Sequence, residues 1–276
     1  MPTLIKQLYD GVLSGVSYTA DSLADAAQHE PDDGIYTVAS TKGRYGVLKL
    51  SAHLDRLEDS AKRADIVFKA DRPAIKQALR TMINASGYEE VRFRVTVPRS
   101  TPDTLILSIE PFTSPPQSVI KTGVRCITAA NSARHNAAAK TTDWMHQRQV
   151  IKDAMPDDIY DTFLLDDNGY ILEGLGSNFY AVLDGVLRTA GDGVLRGISQ
   201  QTVLEVAPSI IPVQLDAIHV DNLPQCTDCF LTSSTRGIIP VIEIDGVQIG
   251  NGQPGDITIA LRAAYEAWMA AHLEIL

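Results

Sequence analysis

The 276-residue chain carries 34 acidic against 24 basic residues, a formal net charge of -10, so its summed field repels nucleic acid and anionic membranes. With 45% hydrophobic and 21% charged residues it has a globular composition, neither disordered nor collagenous, and no window approaches the ~18 uninterrupted apolar residues of a spanning helix. The opening MPTLIKQLYDG lacks the basic flank and apolar run of a secretory signal, and the odd count of three cysteines fits a reducing compartment, so a cytoplasmic address is expected.

Residues 34–50 read as paired strands, IYTVAS and YGVLKL, broken at Lys42, Gly43 and Arg44. SAHLDRLEDSAKRADI follows as a helix. Ser51 is its candidate N-cap, and Leu54, Leu57, Ala61 and Ile66 fall roughly on one face. A second helix, PAIKQALRTMINASG, begins near Pro73 and stops at Gly87, and VRFRVTV and TLILSIEPF then alternate as strands. The polar, Pro/Ser-rich TSPPQS at 113–118 is the best linker candidate. It separates a small α+β domain over 1–120 from a larger α/β domain over 121–276 that is rich in antiparallel hairpins.

The larger part opens with the strand VRCITAA, a loop to Lys140 and the helix DWMHQRQVIKDAMP. Strands DTFLLDDNG, YILEG, FYAVLDG and VLRTA come next, then a helix from Ser199. Strands CFLTSS and IIPVIEIDG precede a closing helix, ITIALRAAYEAWMAAHL. Cys226 and Cys229 form a C-x-x-C, but no second ligand pair or following helix accompanies it, and Cys229 opens an apolar strand. With Cys126, they read as structural thiols rather than a metal or redox centre.

Four separated segments carry the chemistry: AHLDRLEDSA at 52–61, AAKTTDW at 138–144, EGLGSNFYAV at 173–182 with LRGIS at 195–199, and FLTSSTRGIIPV at 230–241. In that order they resemble the class IV aminotransferases, the family of branched-chain and D-amino-acid aminotransferases and aminodeoxychorismate lyases. The resemblance implies a fold-type-IV enzyme with pyridoxal 5'-phosphate lying between a small N-terminal and a larger C-terminal domain. It also implies a homodimer or higher homo-oligomer.

Such a cofactor needs a lysine amine, a partner for its ring nitrogen, a phosphate cradle and a place for the substrate carboxylate. By resemblance Lys140 forms the Schiff base and moves the substrate α-proton, and Glu173 of E-G-x-G-x-N faces the ring nitrogen. Arg56 of H-x-x-R would bind phosphate, a role suited to a guanidinium fork. Gly197, Ile198 and Ser199 would present a helix N-terminus to phosphate, and Ser234 and Thr235 would supply a second turn. Ser177 and Asn178 complete the cofactor set, Asn178 fixing its turn by side-chain hydrogen bonds.

Substrate recognition is expected from Tyr36, from Arg92 and Arg94 on one face of a strand, from Thr235, and from Arg236 beside the phosphate turn. The Arg-x-His trap of D-amino-acid enzymes is not reproduced by Val97, Pro98 and Arg99. The implied reaction is ping-pong transamination between an amino acid and a 2-oxo acid. The alternative is elimination of pyruvate by an aminodeoxychorismate lyase, which would keep the same cofactor residues.

Overall fold

The computed structural model describes residues 3–276. They form two compact units that are not divided at one point in the chain. One comprises the chain up to Thr113, Ala139–Gln149 and His272–Leu276, the other Ser114–Ala138 and Val150–Ala271. A single cut near residue 120 therefore does not describe the molecule. Lys140 belongs with the first unit because the backbone ties it there: the Tyr36 N–H donates to the Lys140 carbonyl at 3.0 Å, and Ile35 bridges Thr141.

The first unit is built on a seven-stranded antiparallel sheet. Its order is Leu273–Ile275, Gly46–Leu48, Gly34–Lys42, Val91–Pro98, Thr104–Pro111, Leu4–Tyr9 and Val12–Gly15. Helices Leu50–Arg63 and Arg72–Ser86 contribute Leu54, Leu57, Ile75 and Leu79 to a core shared with Ile35, Phe93, Val95 and Leu107. The second of these helices is bounded as its sequence suggests. Asp71 accepts from the Ala74 N–H at 3.0 Å at its start, and Gly87 takes φ 72 at its end. The first is not: it begins at Leu50, preceded by Lys49 at φ 46, and Ser51 sits inside its first turn. The reason lies at the other end of the chain, where Glu274 on the last strand accepts from both the amide and the hydroxyl of Ser51.

The second unit holds a ten-stranded mixed sheet. Strands Ser177–Leu183, Asp228–Ser233, Gly237–Ile244, Val124–Ala129, Asp161–Leu165 and Tyr170–Gly174 pair in that order. Ser177 and Asn178 then pair back to Gly174 and Glu173, so the ladder closes on itself. Val124–Ala129 lies parallel to both neighbours, and the remaining pairs of this ring are antiparallel. Helix Ile198–Val206 packs on helix Asp256–Ala271, where Ser199 Oγ lies 2.9 Å from the Tyr265 hydroxyl. Cys126, Cys226 and Cys229 are buried in this core as free thiols. No helix of the described residues is long and apolar enough to cross a membrane.

Candidate active site

Within the first unit, helix Leu50–Arg63 places His53, Arg56 and Ser60 at i, i+3 and i+7, a polar stripe on its inner side. Ser60 is fully buried, and its hydroxyl accepts the Lys140 N–H at 3.1 Å. Arg56 Nη2 donates to Thr37 Oγ1 at 3.2 Å, while His53 Nδ1 lies 3.0 Å from the same hydroxyl. His53 Nε2 and Arg56 Nε are buried with no hydrogen-bond partner among the described residues. The Lys140 ammonium lies over the Tyr36 ring, 4.5 Å from its centroid, and Arg148 approaches the same ring at 5.8 Å.

These half-buried cations crowd one another. Desolvation, with Arg148 and Arg56 nearby, brings Lys140 down to about 8 against the opposition of Tyr36. Burial pushes the Tyr36 phenol up, but Arg148 and Lys140 beside it more than offset that and bring it to about 8. Desolvation lowers Arg56 to about 10, and burial together with Arg56 and Lys140 holds His53 well below its ordinary value, hence neutral. At pH 7 a lysine at about 8 is about one-tenth neutral, against roughly one part in 3000 for an ordinary amine. The arrangement produces a nucleophilic amine in a field that attracts anions.

Within the second unit, Glu173, Asn178 and Thr232 lie side by side on neighbouring strands. Glu173 is buried in an ion pair with Arg134, whose Nε donates at 2.8 Å, and its other oxygen accepts the Leu195 N–H at 3.1 Å. Asn178 Nδ2 donates to the Leu195 carbonyl at 2.9 Å. The two side chains thus hold both backbone groups of one residue and fix the turn leading into helix Ile198–Val206. A Cβ on Gly197 would stand 2.1 Å from Asn178 Oδ1, so only glycine permits this approach. The helix starts at Gly197 with no side-chain cap, which leaves its first amides for another acceptor. The next turn, Ser233–Arg236, closes with the Arg236 N–H donating to the Ser233 carbonyl, and Gly237 follows at φ 65. Ser234 and Thr235 are half-buried at its tip.

A family model described as amino-transferase class IV matches residues 34–244. The chain belongs to the class IV aminotransferases. The D-alanine aminotransferase of Bacillus licheniformis is 25% identical over 276 residues, covering 95% of this chain and 96% of that one. The branched-chain-amino-acid aminotransferase of Escherichia coli (strain K12) is 25% identical over 253 residues, covering 84% and 82%. Among solved structures, the branched-chain aminotransferase of Thermoproteus uzoniensis with norvaline superposes with a TM-score of 0.80 at 22% identity, covering 100% of this chain and 99% of that one. A T.th. branched-chain amino acid aminotransferase with pyridoxamine 5'-phosphate gives 0.81 at 20%, covering 98% of each chain. The fold is accordingly that of the fold-type-IV enzymes.

Against this family background the expected substrate arginines stand differently from the cofactor set. Arg94 donates from Nε to buried Glu30 at 3.0 Å and from Nη1 to the Leu23 carbonyl at 2.8 Å. Arg92 pairs with Glu110 at 2.6 Å. Arg236 donates to Asp161 at 3.1 Å and to Ser233 Oγ at 3.0 Å, and it lies over Tyr160. Each of the three guanidiniums is paired with a carboxylate of its own unit. Likewise the Ser199 hydroxyl faces Tyr265, so its amide rather than its side chain is left for an anion. Ser177 Oγ donates to Asp161 at 2.8 Å, a structural contact beneath the turn. Sequence reading passed over Arg134 and Arg148. The first lies six residues before Lys140 and the second eight after it, and no periodicity marks either.

Proposed function

We propose that this class IV enzyme moves an amino group between an amino acid of branched-chain or D-amino-acid type and a 2-oxo acid, using pyridoxal 5'-phosphate held on Lys140. The observation that carries the reading is the lowered amine of Lys140 among Arg56, Arg148 and Tyr36. This constellation suits imine formation and a phosphorylated aldehyde, and buried Arg56 Nε still lacks an acceptor. The cofactor, when bound, supplies an electron sink for the carbanion left as the substrate loses its α-proton.

The chain's own groups divide the work. Lys140 would hold the cofactor through its amine and, once freed, would be the base that moves the substrate α-proton. In the first unit Arg56 is a guanidinium suited to phosphate, and in the second the uncapped amides of Ile198 and Ser199, with Gly197 allowing close approach, and the Ser234–Thr235 turn suit the same group. Glu173, oriented by Arg134 and the Leu195 N–H, would pair with the ring nitrogen. Asn178 and Ser177 keep these pieces in register, and Tyr36 forms a wall beside the amine.

The relatives above are named aminotransferases, which supports transfer over the pyruvate-eliminating alternative. A homodimer in the cytoplasm is part of the same reading, supported by the family resemblance and the three free thiols. The test is to incubate the purified protein with L-leucine or D-alanine and 2-oxoglutarate and to quantify glutamate, with aminodeoxychorismate assayed in parallel for pyruvate. Glutamate without pyruvate is expected. Pyruvate release, or no transfer from any amino acid of the two classes, would overturn the reading.

A further inference from the structure

Lys140 and Arg56, the two cations of the first unit assigned to the cofactor, rest on the same pair of supports. Strand Gly34–Lys42 holds both: the Tyr36 N–H donates to the Lys140 carbonyl at 3.0 Å, and the hydroxyl of the next residue, Thr37, accepts from Arg56 Nη2 at 3.2 Å. Helix Leu50–Arg63 also holds both, since Arg56 springs from it and Ser60, one turn further on, accepts the Lys140 N–H at 3.1 Å. The amide and the carbonyl of Lys140 are thus each tied to a regular element of its own unit. Ser60 is fully buried in the helix interior, a place where serine forms helix less well than alanine. The bond to Lys140 is what its hydroxyl contributes there.

We propose that Ser60 is a positioning residue for Lys140: it holds the amine-bearing residue a fixed step from Arg56, and so fits the site to ligands that carry an aldehyde and a phosphate on one rigid molecule. Resting on the transaminase reading, this adds to it a residue that acts through the lysine. Side chains four apart on a helix lie about 5–6 Å from each other at Cβ. The helix therefore fixes the spacing between the phosphate donor and the point where the lysine chain leaves the backbone. The lysine side chain is long and flexible, and holding its backbone at both the amide and the carbonyl removes the further freedom that a loop would add. Order established before the ligand arrives favours the condensation of the amine with the aldehyde, in which a carbon–nitrogen bond forms and water leaves. It does not act on phosphate binding, because Arg56 has its own contact with Thr37.

The test measures equilibrium binding of pyridoxal 5'-phosphate and of pyridoxine 5'-phosphate, which has an alcohol in place of the aldehyde, to the whole chain freed of cofactor by dialysis. The ratio of the two dissociation constants isolates the contribution of the amine. Wild type should favour the aldehyde, and Lys140→Ala should abolish that preference. Ser60→Ala should reduce the preference by about 3- to 10-fold, the worth of one buried hydrogen bond, while the affinity for pyridoxine 5'-phosphate stays that of wild type. Ser60→Cys, close in size and still a weak acceptor, should fall between the two. A hydroxyl that only steadies the helix would weaken both ligands alike or neither, so an unchanged preference in Ser60→Ala overturns the proposal. If Ser60→Ala does not fold, Ser60→Cys decides, and a wild-type preference there is the overturning result. A wild type that binds both forms equally, or a Lys140→Ala variant that keeps the preference, refutes instead the reading of Lys140 as the cofactor's carrier, and those two measurements come first.

Discussion

Replacing Arg94 by methionine separates a structural arginine from a substrate reader. Its side chain is 5% exposed and that of Glu30 is 0% exposed. Two guanidinium nitrogens reach Glu30 Oε1, a third donates to the Leu23 carbonyl, and Thr96 donates to the other carboxylate oxygen. Removing the arginine leaves a buried carboxylate with only the hydroxyls of Thr96 and Ser108 in place of an ion pair, a loss of about 3–5 kcal/mol. At about 3 °C per kcal/mol for a unit of this size, the melting temperature should fall by about 9–15 °C. Glu30→Met should do the same, while the double variant Glu30→Met/Arg94→Met loses far less than the sum because no charge is stranded. Scanning calorimetry of the three variants measures the shifts, and KM for the amino acid, taken well below the melting temperature, should be unchanged in Arg94→Met. A variant that melts like wild type yet raises KM tenfold would show that Arg94 binds substrate and that the pairing argument is wrong.

Three further outcomes follow from the geometry. In cofactor-free protein, the rate at which Lys140 captures pyridoxal phosphate should rise with pH around about 8. Arg148→Gln removes a cation that opposes the ammonium and should move that midpoint upward, whereas Tyr36→Phe should move it downward; stopped-flow absorbance across pH checks both signs. Gly197→Ala drives a methyl to within 2.1 Å of Asn178 Oδ1 and should weaken phosphate-dependent cofactor retention. Adding Asn178→Ala deletes the clashing atom and should restore part of that retention, measured by equilibrium dialysis. The buried thiols of Cys126, Cys226 and Cys229 should react with an aromatic disulfide reagent only as the protein unfolds, and Cys226→Ser should keep transamination.

Much of the fold can be read from residue pattern, and the exceptions have physical causes. Helix Arg72–Ser86 is legible because its cap, proline and terminal glycine are local signals. The start of helix Leu50–Arg63 is not, because the acceptor that captures Ser51 comes from Glu274, 223 residues away. The hairpin Leu4–Tyr9/Val12–Gly15 carries an Asp10-Gly11 turn, both residues at positive φ, a signal present in the sequence but unread. Closure of the second sheet through Glu173 and Asn178 depends on long-range pairing that alternation cannot reveal.

The site divides similarly. Motifs point to Lys140, Arg56, Glu173 and the two turns because backbone and cofactor chemistry constrain them. Motifs do not reveal which arginines are already paired: Glu30 and Asp161 lie 64 and 75 residues from Arg94 and Arg236, and Glu110 stands opposite Arg92 only once the strand register is set. Arg134 and Arg148 owe their importance to three-dimensional neighbours alone.

Lys140 is the residue proposed to carry the cofactor. Borohydride reduction of the purified enzyme loaded with pyridoxal 5'-phosphate, followed by proteolysis and mass spectrometry, tests it most directly. A phosphopyridoxyl adduct on Lys140, absent from Lys140→Ala together with all transaminase activity, is the expected result. An adduct on another lysine, or a Lys140→Ala variant that still transaminates, would contradict the account.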